Sequence, residues 1–247
     1  MEYFLEICAG SLCSALAAQR GGADRVELCD NLFEGGTTPS YGMIKTCRSL
    51  LKIPFFPIIR PCGGGFVYSD EEFDVMRQDV ISCLELGCEG IVFGILREDG
   101  SIDTKRCSEL VELSGGMQLT FHRAFDHCSN LEDGLENIIE MGFHRVLTSG
   151  GADFAHNAIP ELAKLVKQAK SRISIMPGSG ITVDNLLRIA KETGALEFHT
   201  TAKRKIDPMR GSRDLNNLDT QYLFETDEVK VREMCQILQN ISPDVNH

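Results

Sequence analysis

Residues 142–150 read GFHRVLTSG, and this stretch contains the unit from which the chain is built. Gly142 suits the left-handed position that ends a helix, the apolar run after it suits a buried strand, and Ser149 and Gly150 suit a turn. The same order of glycine and strand recurs in GGADRVEL (21–28), GCEGIVF (87–93) and GALEFHT (194–200). Strands and helices therefore alternate, which is typical of an α/β protein with a parallel sheet.

Eight strands and eight helices follow from this alternation. The strands are expected at 3–9, 25–30, 55–61, 90–96, 117–124, 145–150, 173–180 and 197–202. The helices are expected at 12–20, 41–51, 70–86, 104–113, 131–141, 155–170, 183–193 and 227–241. Eight such units in 247 residues predict a closed TIM (β/α)8 barrel. An open doubly wound sheet is the alternative, but the turn Ala9-Gly10-Ser11 matches its glycine-rich signature weakly.

The whole chain, 1–247, is predicted to form one domain. Long loops are expected at 31–40 and 203–226, followed by a C-terminal helix at 227–241. In a barrel, both loops lie at the C-terminal face, where active sites form.

Charge and composition exclude several classes of partner. Thirty-six acidic against twenty-five basic residues give a net charge of −11, which disfavours nucleic acid and anionic membranes. The absence of a basic leader and of a membrane-length apolar run predicts a cytoplasmic protein. Ten cysteines without a CxxC pair predict free thiols, so a metal site has to be assembled from distant segments. No organic cofactor is predicted.

Polar residues in otherwise apolar strands are expected to point into the barrel, because side chains alternate across a strand. The expected set is Glu6, Glu27, Arg60, His122 and His199. Buried charges are costly unless they are paired, so two interpretations stay open. In the first, the group is a structural ionic network in which Arg60 neutralises Glu6 or Glu27. In the second, it is an active site in which Glu27 or His122 moves protons and Arg60 holds negative charge.

Two further groups lie where strands end. In the string TFHRAFD, Arg123 and Asp126 join His122 at the barrel mouth, Arg123 to hold negative charge and Asp126 as a catalytic carboxylate. Ser149 and the turn Gly178-Ser179-Gly180 expose backbone amides suited to a phosphate. Tight turns that need glycine for space explain the same residues equally well.

Cysteines end the first two strands in the similar strings EIC and ELC. Neighbouring strands lie about 4.8 Å apart, so Cys8 and Cys29 at matched heights are suited to bracket Cu(I), a soft cation. The alternative is that both are small buried apolar residues. Cys62, after the third strand, is a candidate third thiol.

Several strings together resemble the CutC family of cytoplasmic copper-homeostasis proteins. They are LEIC, GGADRVELC, EGGTTPS, PIIRP, TFHRAFD, RVLTSG, MPGSGIT and EFH, and they run from Glu6 to about Thr201. The resemblance implies a TIM-type barrel, a homo-oligomer, an association with copper tolerance, and Cys8 and Cys29 as the Cu(I) positions. The family pattern also holds Glu27, Arg60, His122, Arg123, Asp126 and His199. The chain departs from the pattern at Cys62 and Gly65, where the family commonly has arginine and aspartate.

Two functions are therefore expected. The first is a CutC-like cytosolic protein of copper homeostasis, a dimer or tetramer that binds Cu(I) through Cys8 and Cys29. The alternative is a barrel enzyme with lyase- or isomerase-type acid–base chemistry on a small anionic or phosphorylated metabolite. Its catalytic residues would be Glu27, Arg60, His122, Asp126 and His199, and its substrate-binding residues Glu6, Arg123, Ser149, Gly178, Ser179 and Gly180.

Overall fold

The structure, a computed structural model, describes residues 2–206 and 223–241. Its main elements are eight parallel strands that alternate with eight helices. The strands are β1 Phe4–Ala9, β2 Arg25–Leu28, β3 Phe55–Pro57, β4 Gly90–Phe93, β5 Gln118–Phe121, β6 Arg145–Thr148, β7 Ser174–Pro177 and β8 Glu197–Thr200. The helices are α1 Leu12–Gly21, α2 Tyr41–Leu50, α3 Asp70–Glu85, α4 Thr104–Leu113, α5 Leu131–Glu140, α6 Ile159–Ala169, α7 Val183–Thr193 and α8 Glu228–Gln239. Each element overlaps its predicted segment.

Hydrogen bonds join the strands in the orders β3-β2-β1-β8 and β4-β5-β6-β7. The two groups meet at β3 and β4, where the amide of Ile59 donates to the carbonyl of Val92 at 2.7 Å. They meet again at β7 and β8, which pack side by side. Gly178, after β7, leaves room for the side chain of Leu147 in β6, since a Cβ on Gly178 would clash with Leu147 Cδ1. The single-domain TIM barrel is confirmed, and the open doubly wound sheet is wrong.

Helix ends carry the residues expected of them. Ser69 Oγ accepts the amide of Glu72 at 3.2 Å, and the Glu72 carboxylate accepts the amide of Ser69 at 2.8 Å, so a capping box begins α3. Asn130 Oδ1 accepts two amides in the first turn of α5. Gly22 and Gly194 end α1 and α7 in the left-handed conformation.

Two segments differ from the prediction. The helix expected at 155–170 begins at Ile159, because residues 155–157 form a separate 3-10 turn and Pro160 lies in the first turn of α6. The loop expected at 203–226 contains an antiparallel pair, β9 Lys203–Ile206 and β10 Leu223–Thr226. Residues 207–222 of that predicted loop lie outside the described residues.

The strands divide apolar from polar side chains as their alternation requires. In β1, Leu5 and Ile7 are fully buried in the apolar core. Glu6 and Cys8, of the opposite parity, are buried beside polar groups of neighbouring strands. None of the helices in residues 2–206 and 223–241 has the length and apolar character needed to cross a membrane.

Candidate functional site

The deepest polar layer of the barrel is an ionic network. Arg25 Nε donates to Glu6 Oε2 at 2.5 Å, and Arg25 Nη2 donates to Glu197 Oε2 at 2.7 Å. Arg145 Nε lies 3.1 Å from the same Glu197 oxygen. The two guanidinium groups lie 5.0 and 5.2 Å from the centroid of the Phe56 ring. These charges neutralise one another, so this layer is structural.

An ionic network is one of the two interpretations that the sequence left open, but its cations are not the expected one. Arg25 and Arg145 are the first residues of β2 and β6, and both are buried. Arg25 shares the parity of Glu27, so strict alternation along β2 would have found it. The expectation that Arg60 neutralises Glu6 or Glu27 is wrong, because Arg25 binds Glu6.

The next layer centres on His199, which links two carboxylates. Its Nδ1 lies 2.7 Å from Glu6 Oε1, and its Nε2 lies 3.6 Å from Glu27 Oε2. Burial lowers the pKa of His199, but the charges of Glu27 and Glu6 outweigh it and raise the pKa well above its usual value. Burial alone would raise the pKa of Glu6, yet the charge of Arg25 holds it below the usual range. The structure thus brings together three of the predicted site residues, Glu6, Glu27 and His199.

Cys8 and Cys29 lie above this layer, with their sulfur atoms 3.6 Å apart. Cys29 Sγ is 3.4 Å from Glu27 Oε2, and one ligand atom from each of Cys8, Glu27 and Cys29 lies within 4.8 Å of the others. The contact with Cys29 lowers the pKa of Cys8 to about 5 against the effect of burial, and His199 contributes to the same shift. We call Cys8, Glu27 and Cys29 the thiol site.

The two cysteines are not at matched heights, which corrects the sequence expectation. In the ladder of β1 and β2, Cys8 pairs with Glu27, and Cys29 lies two residues further along. The thiols therefore meet on the diagonal, and Glu27 lies between them as a third ligand group. Cys62 does not join them, because its thiol donates to Glu72 Oε1 at 3.3 Å.

The thiol site meets the requirements of a soft metal ion. Metal–sulfur bonds of about 2.3 Å allow two sulfur atoms on one ion to lie up to about 4.6 Å apart. The observed 3.6 Å falls inside this limit, so both sulfur atoms can reach one ion without movement of the strands. Two thiolates and one carboxylate supply three donors, whereas a structural zinc ion needs four protein ligands.

Arg60 organises the loops above the thiol site. Its Nη1 donates to the carbonyls of Glu34 at 2.8 Å and Gly36 at 2.7 Å, and its Nη2 donates to the carbonyl of Gly64 at 2.7 Å. Gly36 in turn covers Cys29, since a Cβ on Gly36 would lie 3.3 Å from the sulfur atom. Arg60 therefore fixes the loop that closes over Cys29.

His122 is buried away from the thiol site, beside Phe66. Its ring centroid lies 4.9 Å from that of Phe66, and its Nδ1 accepts the amide of Ala124 at 3.2 Å. Burial, reinforced by the charge of Arg60, lowers the pKa of His122 to about 3. The imidazole is therefore neutral near pH 7, and its Nε2 has no hydrogen-bond partner among the described residues.

Asp126, Arg123 and Ser149 are brought together at the ends of β5 and β6. The Asp126 carboxylate accepts Arg123 Nε at 2.8 Å, Ser149 Oγ at 2.9 Å and Thr148 Oγ1 at 2.5 Å. It also accepts the backbone amides of Ser149 and Gly151 at 3.0 and 3.1 Å. With these partners, Asp126 serves to hold two loops together.

The turn Gly178-Ser179-Gly180 is packed by its own neighbours. Ser179 Oγ donates to the carbonyl of Asp153 at 2.7 Å, and the carbonyl of Ser179 accepts the amide of Ala155. Phe154 lies against Gly180, where a Cβ would come within 2.7 Å of the Phe154 ring. These contacts favour the tight-turn interpretation over the phosphate cradle.

A cavity of about 530 Å³ opens above Cys8, and we call it the mouth cavity. It lies between the start of α1, residues 30–35 and the β9–β10 pair. Its lining residues are Cys8, Gly10, Ser11, Ser14, Asp30, Asn31, Leu32, Phe33, Gly35, Thr201, Lys203, Ile206, Phe224, Glu225 and Thr226. Cys8 is thus the member of the thiol site that lines this cavity.

Comparisons with known proteins agree with the predicted resemblance. The CutC protein of Chromobacterium violaceum is 49% identical over 206 residues, which is 83% of each chain. The human copper homeostasis protein cutC homolog is 43% identical over 246 residues, 97% of this chain and 90% of its own. Among solved structures, the copper homeostasis protein CutC of Streptococcus agalactiae matches with a TM-score of 0.78 and 37% identity over 81% of this chain and 98% of its own.

More distant barrels show the fold alone. Thiamine phosphate pyrophosphorylase of Pyrococcus furiosus matches 96% of both chains with a TM-score of 0.59 at 17% identity. The sequence profile of the CutC family matches residues 3–204, more than four-fifths of the chain. With this profile match and relatives above 40% identity, the chain belongs to the CutC family.

Proposed function

We propose that this protein acts in copper homeostasis and binds Cu(I) as cargo at the thiol site. The observation that carries the proposal is the 3.6 Å separation of the Cys8 and Cys29 sulfur atoms, with Glu27 as a third donor. Thiolates prefer soft cations, and Cu(I) is a soft form of copper, the metal that appears in the names of two relatives.

Positive groups around the thiol site compensate most of the negative charge that forms when a metal binds. The two thiolates and the Glu27 carboxylate then carry three negative charges, beside His199 and above the Arg25 network. Cu(I) and the imidazolium supply two positive charges, so the occupied site keeps one net negative charge.

A Cu(I) titration tests the proposal. Competition with the chromophoric chelator bicinchoninate under anaerobic conditions should show one tightly bound Cu(I) per chain. The double variant Cys8→Ser/Cys29→Ser should lose this binding, whereas Cys13→Ser, which removes an exposed thiol, should keep it. One tightly bound Cu(I) in the double variant would refute the proposal.

We also propose that the protein lies in the cytoplasm and forms a dimer or a tetramer. All ten cysteines are free, as expected in a reducing compartment, and the adjacent thiols of Cys8 and Cys29 are not bonded to each other. The assembly is the one that the resemblance to the CutC family implies. Sedimentation velocity at micromolar concentration should show a dimer or tetramer, and a monomer would contradict the assembly. Cell fractionation tests the location.

An enzyme acting on a small anionic metabolite is the second candidate. His122 favours it, because the neutral imidazole is buried and its Nε2 has no partner in the part of the chain that the structure describes, whereas buried polar atoms usually have one. A carboxylate- or phosphate-bearing compound that protects the parent from thermal unfolding, and fails to protect His122→Ala, would support it. Equal protection of both proteins would exclude His122 from the binding of that compound.

A further inference from the structure

We propose that the mouth cavity binds a small zwitterionic thiol that carries Cu(I), and that the ion passes from this carrier first to Cys8. This inference rests on the proposed function and names the form in which the cargo arrives. It concerns the cavity above the thiol site and not the ligands alone.

The size of the mouth cavity indicates an organic ligand. Its volume of about 530 Å³ lies within the range of small-molecule sites, about 300–1,000 Å³. A single ion with its waters would leave most of this space unfilled, since one water takes about 30 Å³ of the liquid. A ligand the size of a tripeptide fills it better.

The thiol site faces the mouth cavity through one of its two cysteines. Cys8 lines the cavity, whereas Cys29 is 2% exposed and covered by Gly36. The Arg60 hydrogen bond to the Gly36 carbonyl holds this cover in place. A ligand entering the cavity therefore meets Cys8 before Cys29.

One part of the cavity wall is formed by large apolar side chains, although it lies at the surface. Phe33 is 62% exposed, Phe224 is 42% exposed and Leu32 is 38% exposed. Large apolar side chains gathered around one opening mark a place where another molecule is bound. A bare hydrated cation gains nothing from such walls, but the carbon skeleton of an organic carrier does.

Charges of both signs line the same cavity. Lys203 and the start of α1 at Ser11, whose first turn has no acidic side chain, attract a carboxylate. Asp30 and Glu225 attract an ammonium group. This mixture suits a zwitterion, such as a short thiol peptide with free amino and carboxylate groups, better than a simple cation or anion.

The transfer step is an exchange of thiolates with no change of oxidation state. The Cys8 thiolate forms a bond to Cu(I), the bond between Cu(I) and the carrier sulfur breaks, and the carrier leaves as a thiolate that takes a proton from water. Cys29 then releases its thiol proton to the water, which replaces the proton that the carrier took, and Cys29 and Glu27 complete the coordination from within the thiol site.

Stopped-flow transfer from Cu(I)–glutathione tests the inference. The rate for the parent protein should saturate as the complex increases in concentration, because binding in the cavity precedes exchange. S-methylglutathione, whose sulfur is blocked, should compete and slow the transfer. Phe33→Ala should slow transfer at least fivefold at low concentration, and Phe154→Ala, which removes an exposed phenylalanine outside the cavity, should match the parent.

The order of exchange gives a second readout: Cys8→Ser should slow the first phase of transfer far more than Cys29→Ser. A rate that stays linear in the complex, with no effect of S-methylglutathione or Phe33→Ala, would overturn the inference even if Cu(I) binds tightly. If the parent protein does not bind Cu(I) at equilibrium, the proposed function itself is refuted.

Discussion

Cys8 and Cys29 bring their sulfur atoms to 3.6 Å although Cys8 pairs in the sheet with Glu27. This diagonal contact places the Glu27 carboxylate beside the two thiols. Two cysteines paired directly across the strands would not have had a carboxylate between them. The site therefore has three donors where the sequence predicted two.

Glu27 should contribute to Cu(I) affinity. Glu27→Gln keeps the shape of the side chain but removes the carboxyl group that would bind the ion, so the affinity should fall about tenfold or more in a bicinchoninate competition. Cys62→Ser is the control, because the Cys62 thiol bonds to Glu72 and not to the thiol site. An unchanged affinity in Glu27→Gln would exclude the carboxylate as a ligand.

Gly36 should be required for the geometry around Cys29. Gly36→Ala places a Cβ 3.3 Å from Cys29 Sγ at a residue whose φ is +93°, whereas Gly116 has the same φ with open space around it. Both alanine variants should lose about 1–3 kcal/mol of stability from backbone strain. Only Gly36→Ala should also weaken Cu(I) binding, and equal Cu(I) affinities in the two variants would contradict this.

The ion pairs of the buried network around Arg25 should contribute more to the free energy of unfolding than the exposed ion pairs do. Glu6→Gln leaves Arg25 partly unpaired in the barrel, and loss of one partner of a buried pair costs about 3–5 kcal/mol. Urea unfolding measures this loss. Glu136→Gln breaks the exposed pair with Arg172 and should have a much smaller effect. Similar losses in both variants would mean that the buried network is not a stabilising unit.

His122 should make the fold less stable in mild acid. Its pKa of about 3 in the folded chain lies below the value of about 6.5 in an unfolded chain, so the unfolded state binds more protons between these values. Stability therefore falls as the pH drops through this window, by about 2 kcal/mol from pH 7 to pH 5 for this group.

The variant His122→Gln isolates this contribution from those of the other histidines. Urea unfolding at pH 7 and pH 5 gives the free energy of unfolding at each pH. The loss of this free energy from pH 7 to pH 5 should be about 2 kcal/mol smaller in the variant than in the parent. The same pH dependence in both proteins would show that His122 titrates normally.

Local sequence was sufficient for the order of the barrel. Gly22 and Gly194 end helices because glycine adopts the left-handed conformation at little cost, and Ser69 begins one because its side chain accepts an amide. Such signals act within a few residues, so each strand and helix could be predicted. Pro160 gave the same kind of signal at α6, where the predicted start was too early.

Alternation within strands also placed Glu6, Glu27 and His199 inside the barrel, because a side chain points to one of two faces only. It could not say which cation would neutralise Glu6. Arg25 and Arg60 were both available, and the choice depends on distances across the barrel that no single segment contains.

The sequence by itself determined the repeat, the barrel and the place of Glu6, Glu27 and His199 within it, because these depend on backbone preferences and on a two-residue period. Only the tertiary structure decided that Cys8 meets Cys29 on the diagonal, that Glu27 joins them and that Arg60 fixes the cover of the site. The stagger between neighbouring strands decides these contacts, and it is set when the whole ring of strands closes.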